Sequence, residues 1–270
     1  MRRSIACFSR VATLAAAVLA LGTLAAPASA QSLQYATYNL LLPLVSETPT
    51  FQSKIYVHND ATATSFVHPT YTGANGSASP GRISCPIFYL APNAVAQMTL
   101  LEMCPGLTAG SNFGTLDFDA QAPVAAYARI ESFSGHGFSV DGMFLQIFPT
   151  SAYSRSVIGL VRQAAAPTYQ SNCFIVNREV RDARMVATIQ HGDGSLITST
   201  LIDVPSLAIV RYLDIFAALG AAAGDYANAR ITMQTITPLA GGNPVTFEFY
   251  CTVQNNSFFD ADFRYGKYVP

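Results

Sequence analysis

The residues of this chain that could act as catalysts are few and scattered. Ser134, His136 and Asp141 supply the three residue types of a catalytic triad within one short stretch. Members of a triad normally come together from distant segments, so this proximity is weak evidence for an active site. The chain also lacks a G-x-S-x-G nucleophile turn, an H-E-x-x-H zinc motif and a phosphate-binding loop. We therefore assign no catalytic residue and expect structural or solvated roles for the histidines, namely His58, His68, His136 and His191.

Two pairs of acidic residues have a spacing that places both side chains on one face of a strand. They are Asp117 with Asp119, and Asp260 with Asp262. Paired carboxylates can bind Ca²⁺, which takes about six to eight oxygen ligands, but neither pair lies in a D-x-D-x-D-G loop. We therefore expect solvated surface at both pairs, and we predict no metal and no cofactor.

Aromatic side chains are frequent, with 13 Tyr and 17 Phe, and exposed ones could stack on sugar rings. Six of them lie in strand patterns, where packing in the core is the commoner fate, namely Tyr56, Phe66, Phe88, Tyr89, Phe247 and Phe249. We expect these aromatic residues to be buried.

One motif occurs twice, 118 positions apart. The segment PTFQS begins at Pro49 and recurs as PTYQS beginning at Pro167, and an asparagine follows the serine by six residues in both copies. A repeat of this length is about the size of one domain. We therefore predict two copies of one fold, residues 31–150 and 151–270, each burying its own apolar faces. Structural roles are predicted for the shared residues, namely Gln52, Ser53, Asn59, Gln170, Ser171 and Asn177.

Four cysteines remain once Cys7, which lies in the N-terminal apolar segment, is set aside. An even number of cysteines is typical of disulfides in an exported protein. We favour Cys85–Cys104 and Cys173–Cys251 because each bridge then stays within one repeat, and we expect the first pair to face each other across adjacent strands. A zinc site is the alternative, but the chain has no CxxC spacing and no histidine beside a cysteine.

Short runs of Val, Ile, Tyr, Phe and Thr, separated by Gly, Pro, Asn and Asp, extend along most of the chain. Met185 to Ile189 alternates in the way expected of a strand with one buried and one exposed face. About six or seven such strands per copy are typical of a β-sandwich. The pattern predicts an all-β fold of two tandem antiparallel β-sandwich domains, with one helical turn per copy near residues 101–103 and 213–215.

The first thirty residues are predicted to be a cleaved secretory signal peptide. Arg2, Arg3 and Arg10 precede an apolar run that ends at Ala28-Ser29-Ala30, so the mature chain would start at Gln31. A retained N-terminal anchor is the alternative, and we predict no integral membrane segment after cleavage. Cleavage leaves 12 basic and 16 acidic residues without a basic stripe, which argues against nucleic acid as a partner.

The strand entries Phe51-Gln52-Ser53 and Tyr169-Gln170-Ser171, each leading to an asparagine, resemble those in tandem β-sandwich, immunoglobulin-like repeats of exported bacterial proteins. The resemblance covers both copies and implies a sandwich fold without an assigned activity. The chain has no Trp, so it lacks the buried Trp of an immunoglobulin domain.

Two classes of function remain open. The first is a non-catalytic secreted protein, a binding or structural module that acts on a protein or surface polymer at the bacterial cell surface or in the periplasm. The alternative is a secreted carbohydrate-binding protein or hydrolase with a site built from loops. Such a site would use polar residues that the copies do not share, namely His136, Asp141, His191 and Asp193. Two of them in one concave pocket with a third polar group would favour the alternative.

Overall fold

The computed structural model describes residues 38–144, 154–165, 168–236, 245–258 and 260–268. The predicted signal peptide, its cleavage site before Gln31 and the predicted boundary at residue 150 lie outside the described residues. Residues 38–144 are called the first half below, and the described residues from 154 onward are called the second half.

Strands account for most of the first half. Turn residues such as Asn75-Gly76 and Pro92-Asn93 separate them, as the sequence predicts. The elements are β1 (Tyr38–Glu47), β2 (Phe51–Asn59), β3 (Ser65–Gly73), β4 (Gly81–Ser84), β5 (Phe88–Leu90), β6 (Val95–Thr99), helix α1 (Leu100–Met103), β7 (Asn112–Ala120), β8 (Val124–Ser132), β9 (Gly137–Asp141) and β10 (Met143–Phe144).

The second half has the same kind of elements in the same succession. They are β11 (Ser154–Arg162), β12 (Tyr169–Asn177), β13 (Ala183–Gln190), β14 (Leu196–Val204), β15 (Ile209–Tyr212), helix α2 (Ile215–Ala218), β16 (Tyr226–Thr235), β17 (Phe247–Asn255), β18 (Asp260–Tyr265) and β19 (Lys267–Tyr268).

The pairing of strands is the same in both halves. In the second half, one sheet has the order β14-β13-β16-β11-β19 and the other has the order β15-β12-β17-β18. In the first half, β4 and β5 pair with β3, which continues to β7, β1 and β10, while β6 pairs with β2, which continues to β8 and β9. A single residue pair, Glu47 with Gln52, joins these two sets. All of these pairs are antiparallel, which confirms the predicted all-β fold.

The two sheets of the second half bury their apolar residues in one shared core. That core contains Val157 and Met185 from the five-stranded sheet and Ile175 and Phe249 from the four-stranded sheet. Strand β13 alternates buried and exposed positions as its sequence predicts. Side chains of two facing sheets in one core are the packing that a β-sandwich has.

The motif asparagines lie at the ends of the equivalent strands β2 and β12 and form the same set of hydrogen bonds there. The Asn59 side-chain nitrogen donates to the carbonyls of Ala63, Leu90 and Ala91, and its oxygen accepts from the Ala61 backbone nitrogen. Asn177 repeats this pattern in the second half, with three carbonyl acceptors and one backbone donor two residues further along. Both side chains are buried, so each asparagine satisfies backbone groups at a strand end that is largely removed from water.

The motif serines also have equivalent roles. The Ser53 hydroxyl accepts from the Ser46 backbone nitrogen at 2.7 Å, and the Ser171 hydroxyl accepts from the Val161 backbone nitrogen at 2.9 Å. Each bond ties the start of β2 or β12 to the preceding strand. The glutamines differ, since Gln52 is exposed whereas Gln170 donates to the Asn172 side chain.

The disulfides are Cys85–Cys104 and Cys173–Cys251, the pairing predicted from the sequence. Cys173 and Cys251 lie directly opposite each other on β12 and β17. The predicted placement of the first pair is wrong, because Cys85 follows β4 and Cys104 caps the C-terminus of α1 instead of lying on an adjacent strand. A helical turn is present in each half, although α2 begins at Ile215, two residues later than predicted.

The core of the first half includes side chains from the second half. Phe174, Val176, Ile209 and Tyr250 belong to the same buried cluster as Leu42 and the other core residues of β1. The expectation that each half buries its own apolar faces is therefore wrong for the first half. The reason is that β12 and β17 have apolar residues on both faces, and the sequence shows only that they are apolar, not what covers them. The division of the chain into two domains stays a prediction.

Candidate functional site

A cleft of about 250 Å³ lies where the two halves meet, and we call it the central cleft. Its apolar wall consists of Phe51, Phe113 and Phe138 from the first half and Phe174 from the second. Polar side chains surround these rings, among them Ser46, Thr48, Thr50, Gln170, Asn172, Thr252 and Gln254. An apolar wall with polar groups around it is the usual composition of a binding cleft.

The polar side of the central cleft is a chain of amides on β12 and β17. The Gln170 amide donates to Asn172 at 3.0 Å, and the Asn172 amide donates to Gln254 at 3.3 Å. Asn256 donates to Gln170 at 3.1 Å. The amides therefore hold one another in place, as a preorganised polar surface requires.

Arg211 connects the halves at the edge of the central cleft. Its guanidinium lies 3.7 Å from the centre of the Phe113 ring, a cation–π contact. Asn75 of the first half hydrogen-bonds both the backbone nitrogen and the carbonyl of Arg211, and Ala74 forms a parallel bridge with Ile209. The contact between the halves therefore combines backbone pairing with a charged side chain on an aromatic ring.

Two ion pairs involve buried carboxylates, one within the second half and one between the halves. Arg155 binds Glu248 at 2.9 Å and also donates to the carbonyls of Phe247 and Gly266. Burial raises the pKa of Glu248 to about 7, because the desolvation of the carboxylate outweighs the attraction of Arg155. Asp117 of the first half pairs with Arg178 of the second, and burial raises its pKa as well.

The expectation of solvated surface is wrong for Asp117, which is 7% exposed, whereas Asp260 is exposed. Sequence reasoning also missed Arg155, Arg178 and Glu248. The available signal was a charged residue inside an apolar strand, as in Phe247-Glu248-Phe249. A charge at such a position predicts a buried partner.

A second aromatic surface lies on the outside of the first half, and we call it the tyrosine face. Tyr56 on β2 and Tyr127 on β8 stack with ring centres 4.5 Å apart and planes within 6°. Tyr127 is 42% exposed. Lys54 and Arg129 lie beside the rings, and both pair with Glu131. The prediction of burial in the core is wrong for Tyr89, which is 73% exposed, and Tyr56, Phe66 and Phe88 are only partly buried. Phe247 and Phe249 are buried as predicted.

The tyrosine face has a buried counterpart in the second half. Because Ser53 and Ser171 occupy equivalent positions, Tyr56 corresponds to Phe174, and the strand pairing makes Tyr127 equivalent to Tyr250. Phe174 and Tyr250 also stack, with ring centres 5.0 Å apart, but Tyr250 is fully buried. Burial raises the pKa of the Tyr250 hydroxyl well above its usual value. The aromatic pair of the first half thus lies at the surface, whereas the equivalent pair of the second half is buried against the first half.

The histidines are dispersed over the described residues. His58 pairs with Asp60 on the tyrosine face, where both residues and Asp141 line a shallow cleft. His68 bonds the Ser84 hydroxyl at 2.7 Å. The carbonyl of His136 accepts hydrogen bonds within its own turn.

The residues of the apparent triad have different partners. The Ser134 hydroxyl donates to the Phe258 carbonyl at 3.2 Å and contacts Ser132, whereas Asp141 lines the cleft of the tyrosine face. His191 and Asp193 lie together in the exposed turn after β13, where Asp193 accepts from Ser195 at 2.6 Å. Neither His191 nor Asp193 lines the central cleft or the cleft of the tyrosine face.

Neither a protein-family model nor a curated protein matches the chain. In the described ranges, no helix is both long and apolar enough to cross a membrane. The same residues contain no group of three or more His, Cys, Asp or Glu side chains that could hold a metal ion.

Proposed function

We propose that this chain is a non-catalytic exported protein, a tandem β-sandwich module that binds a protein or a surface polymer through the tyrosine face. One observation supports this most directly. Tyr127 is exposed and stacks on the partly buried Tyr56, while the equivalent Phe174 and Tyr250 form a contact between the two halves. A surface whose counterpart is a protein interface has the shape and chemistry for contact with another macromolecule.

The composition of the tyrosine face supports the same proposal. Tyrosine and arginine are enriched where proteins bind one another, because they combine a large apolar area with polar groups at the tip. Tyr56, Tyr127 and Arg129 provide this combination on two adjacent strands. Since strands hold side chains in fixed register, the surface needs little ordering when a partner binds.

Export to the cell surface or the periplasm of a bacterium is part of the proposal. The two disulfides support it, because disulfides form and persist in oxidising compartments. The basic and apolar N-terminal segment supports it as well. The resemblance to tandem immunoglobulin-like repeats of exported bacterial proteins agrees with this assignment.

A binding experiment tests the proposal. The disulfide-bonded chain is applied to an array of glycans, surface polymers and candidate proteins that includes the chain itself, alongside a Tyr127→Ser variant. We expect at least one ligand whose binding falls about tenfold or more in the variant. The matched control is Tyr89→Ser, a 73% exposed tyrosine on β5 in the other sheet of the same half, and it should leave binding unchanged.

A carbohydrate-binding protein or hydrolase is the second candidate, and one observation favours it. His58, Asp60 and Asp141 line a cleft beside the stacked tyrosines, and carboxylates next to an aromatic ring can bind a sugar. Release of reducing ends from an array glycan, lost in Asp141→Asn, would replace the non-catalytic proposal with this one. Glycan binding without cleavage would identify the partner of the tyrosine face as a polysaccharide.

A further inference from the structure

The contact between the two halves consists of a sheet face and a receiving cleft. The face is the outer side of β12 and β17, where Asn172, Phe174 and Thr252 line the central cleft. The receiving side belongs to the first half and includes Phe51, Ile130 and Phe138. Phe138 also stacks on Phe263 of β18, with ring centres 6.5 Å apart.

Each component of this contact has a counterpart elsewhere in the chain. The counterpart of the sheet face is the tyrosine face, where Lys54, Tyr56 and Arg129 occupy the positions of Asn172, Phe174 and Thr252. The counterpart of the receiving side is a cleft in the second half, which we call the distal cleft. It is lined by residues that include Val161, Tyr169, Val253, Asp260, Asp262 and Arg264.

Hydrogen bonds and strand register establish that the distal cleft is equivalent to the receiving side. Ser46 and Val161 correspond because each bonds its motif serine. Strand pairing with the motif serines makes Ile130 equivalent to Val253, and the next strand makes Phe138 equivalent to Asp262. The structure therefore places equivalent residues around a cleft in each half. Among the described residues, the central cleft is lined by both halves, whereas the distal cleft is lined by the second half alone.

The differences between the equivalent positions are complementary in charge. On the sheet face, neutral Asn172 and Thr252 correspond to basic Lys54 and Arg129 of the tyrosine face. On the receiving side, Phe138 corresponds to acidic Asp262, and Asp260 lines the distal cleft as well. Arg264, the basic residue among those named for the distal cleft, donates to the backbone carbonyls of Ile158 and Gly159 and to Asp262. Lys54 and Arg129, which share Glu131 as an ion-pair partner, are thus opposite in sign to Asp260 and Asp262 of the distal cleft.

We propose that copies of this chain associate head to tail, with the tyrosine face of one copy docked on the distal cleft of the next. The intramolecular contact is the template for this intermolecular one. Val253, which lines the distal cleft, and Thr252, which lines the central cleft, are neighbours on β17 and point to opposite faces of their sheet. Such a contact uses different surfaces on the two partners and does not close on itself after two copies, so it allows growth into a fibre. The inference rests on the proposed function, since it names the partner of the tyrosine face.

Sedimentation velocity of the disulfide-bonded chain over a range of concentrations tests the proposal. We expect a series of oligomers that grows with concentration and shortens at high salt, because the contact includes opposite charges. Arg129→Glu reverses the charge of one basic residue on the tyrosine face, and Asp262→Arg reverses the charge of one acidic residue at the distal cleft. Each should weaken association by about tenfold or more. Arg184→Glu, on β13 of the five-stranded sheet, is the matched control and should associate like the wild type.

Mixing the two variants provides the sharper test. Either variant alone places like charges at the contact, whereas in an equimolar mixture every tyrosine face can meet a distal cleft of opposite charge, so the mixture should associate again. A symmetric dimer of two tyrosine faces would instead be abolished by Arg129→Glu alone and left intact by Asp262→Arg, which would overturn the proposal. Circular dichroism of each variant checks folding, and Asp260→Arg replaces Asp262→Arg if the latter does not fold.

The outcome also separates this inference from the proposed function. A chain that stays monomeric at all concentrations overturns head-to-tail association. If the monomer still binds an array ligand, and the Tyr127→Ser variant does not bind that ligand, the binding function stands with a different partner. If the chain neither associates nor binds any array ligand through Tyr127, both proposals fail.

Discussion

The two halves of this protein have the same strand order and place an aromatic stack at the same position, yet the two stacks lie in different surroundings. Phe174 and Tyr250 are buried against the first half, whereas Tyr127 is exposed and Tyr56 is only partly buried. The flanking residues follow the surroundings, since Asn172 and Thr252 correspond to Lys54 and Arg129. The comparison teaches that the fold fixes where an aromatic pair lies, while the neighbour decides whether it stabilises the chain or binds something else.

The hydrophobic cores of the two halves differ in whether they include residues of the other half. The core cluster of the second half contains only its own residues, whereas that of the first half includes Phe174, Val176, Ile209 and Tyr250. The described core of the first half is therefore completed by the second. Perturbations at equivalent positions should then have unequal effects, which the following experiments measure.

The largest effect is expected from the disulfides. The Cys173–Cys251 bridge spans 78 residues and Cys85–Cys104 spans 19. On chain-entropy grounds, replacing both cysteines by alanine should lower the free energy of unfolding by about 4–5 kcal/mol for the long loop and about 3 kcal/mol for the short one. Urea unfolding of the two double variants measures both values, and a larger loss in the first half would contradict this ranking.

Truncation of the aromatic stacks should separate the two halves most clearly. Tyr250→Ala removes a fully buried ring and should cost about 3–5 kcal/mol. Tyr127→Ala, at the equivalent exposed position, should cost less than about 1 kcal/mol. Equal losses in guanidinium unfolding would show that the tyrosine face is covered in the folded chain, contrary to the comparison.

The motif asparagines should behave alike in both halves, in contrast to the aromatic stacks. Asn59→Ala and Asn177→Ala each remove three hydrogen bonds to carbonyls, one of them buried and two part-buried, which should cost about 3 kcal/mol in either half. Thermal unfolding of the two variants under one set of conditions measures both losses. A difference larger than about 1 kcal/mol would mean that the strand ends are not equivalent in energy.

The smallest effect is expected for the dependence of the free energy of unfolding on pH. It arises from Glu248 of the second half, whose equivalent in the first half is Ala125. Burial raises the pKa of Glu248 from 4.5 to about 7, so the folded chain holds a proton that the unfolded chain has lost. The contribution of Glu248 to stability is therefore greatest below about pH 4.5 and should fall by about 2–3 kcal/mol as the pH rises to 7.

The variant Glu248→Gln should show a flatter stability curve over this interval. Asp117 leaves a residual slope of the same sign, because burial raises its pKa too. The control is Glu131→Gln, a change at an exposed carboxylate of the first half, whose pKa a hydrogen bond from Lys54 lowers. A wild-type curve that rises between pH 4.5 and 7 would contradict the assignment to Glu248.

Much of the local structure could be predicted from residue type and spacing. The recurrence of Ser and Asn at the same spacing indicated equivalent strands. In the structure, the two serines form equivalent hydrogen bonds, and so do the two asparagines. Alternation in β13 and the even number of cysteines were similarly direct signals. These features depend on neighbours close in sequence or on strand register, which a linear pattern records.

The candidate sites could not be predicted in this way. Asp117 and Asp119 have the same pattern as Asp260 and Asp262, yet Asp117 is buried against Arg178 of the other half and Asp260 is exposed. Tyr56 lies in a strand pattern as apolar as that of Phe174, yet only Phe174 is buried. Burial depends on which surfaces meet across more than a hundred residues of chain.

Residue types and their spacing are enough to predict that this chain forms strands, that a motif occurs twice and that the cysteines can pair within each copy, because hydrophobic period, turn chemistry and cysteine count act over short distances. Which sheet face the other half covers, and which stays exposed, follows from the folded arrangement alone. An apolar strand face gains free energy from any cover that excludes water, so its sequence does not specify which cover it receives.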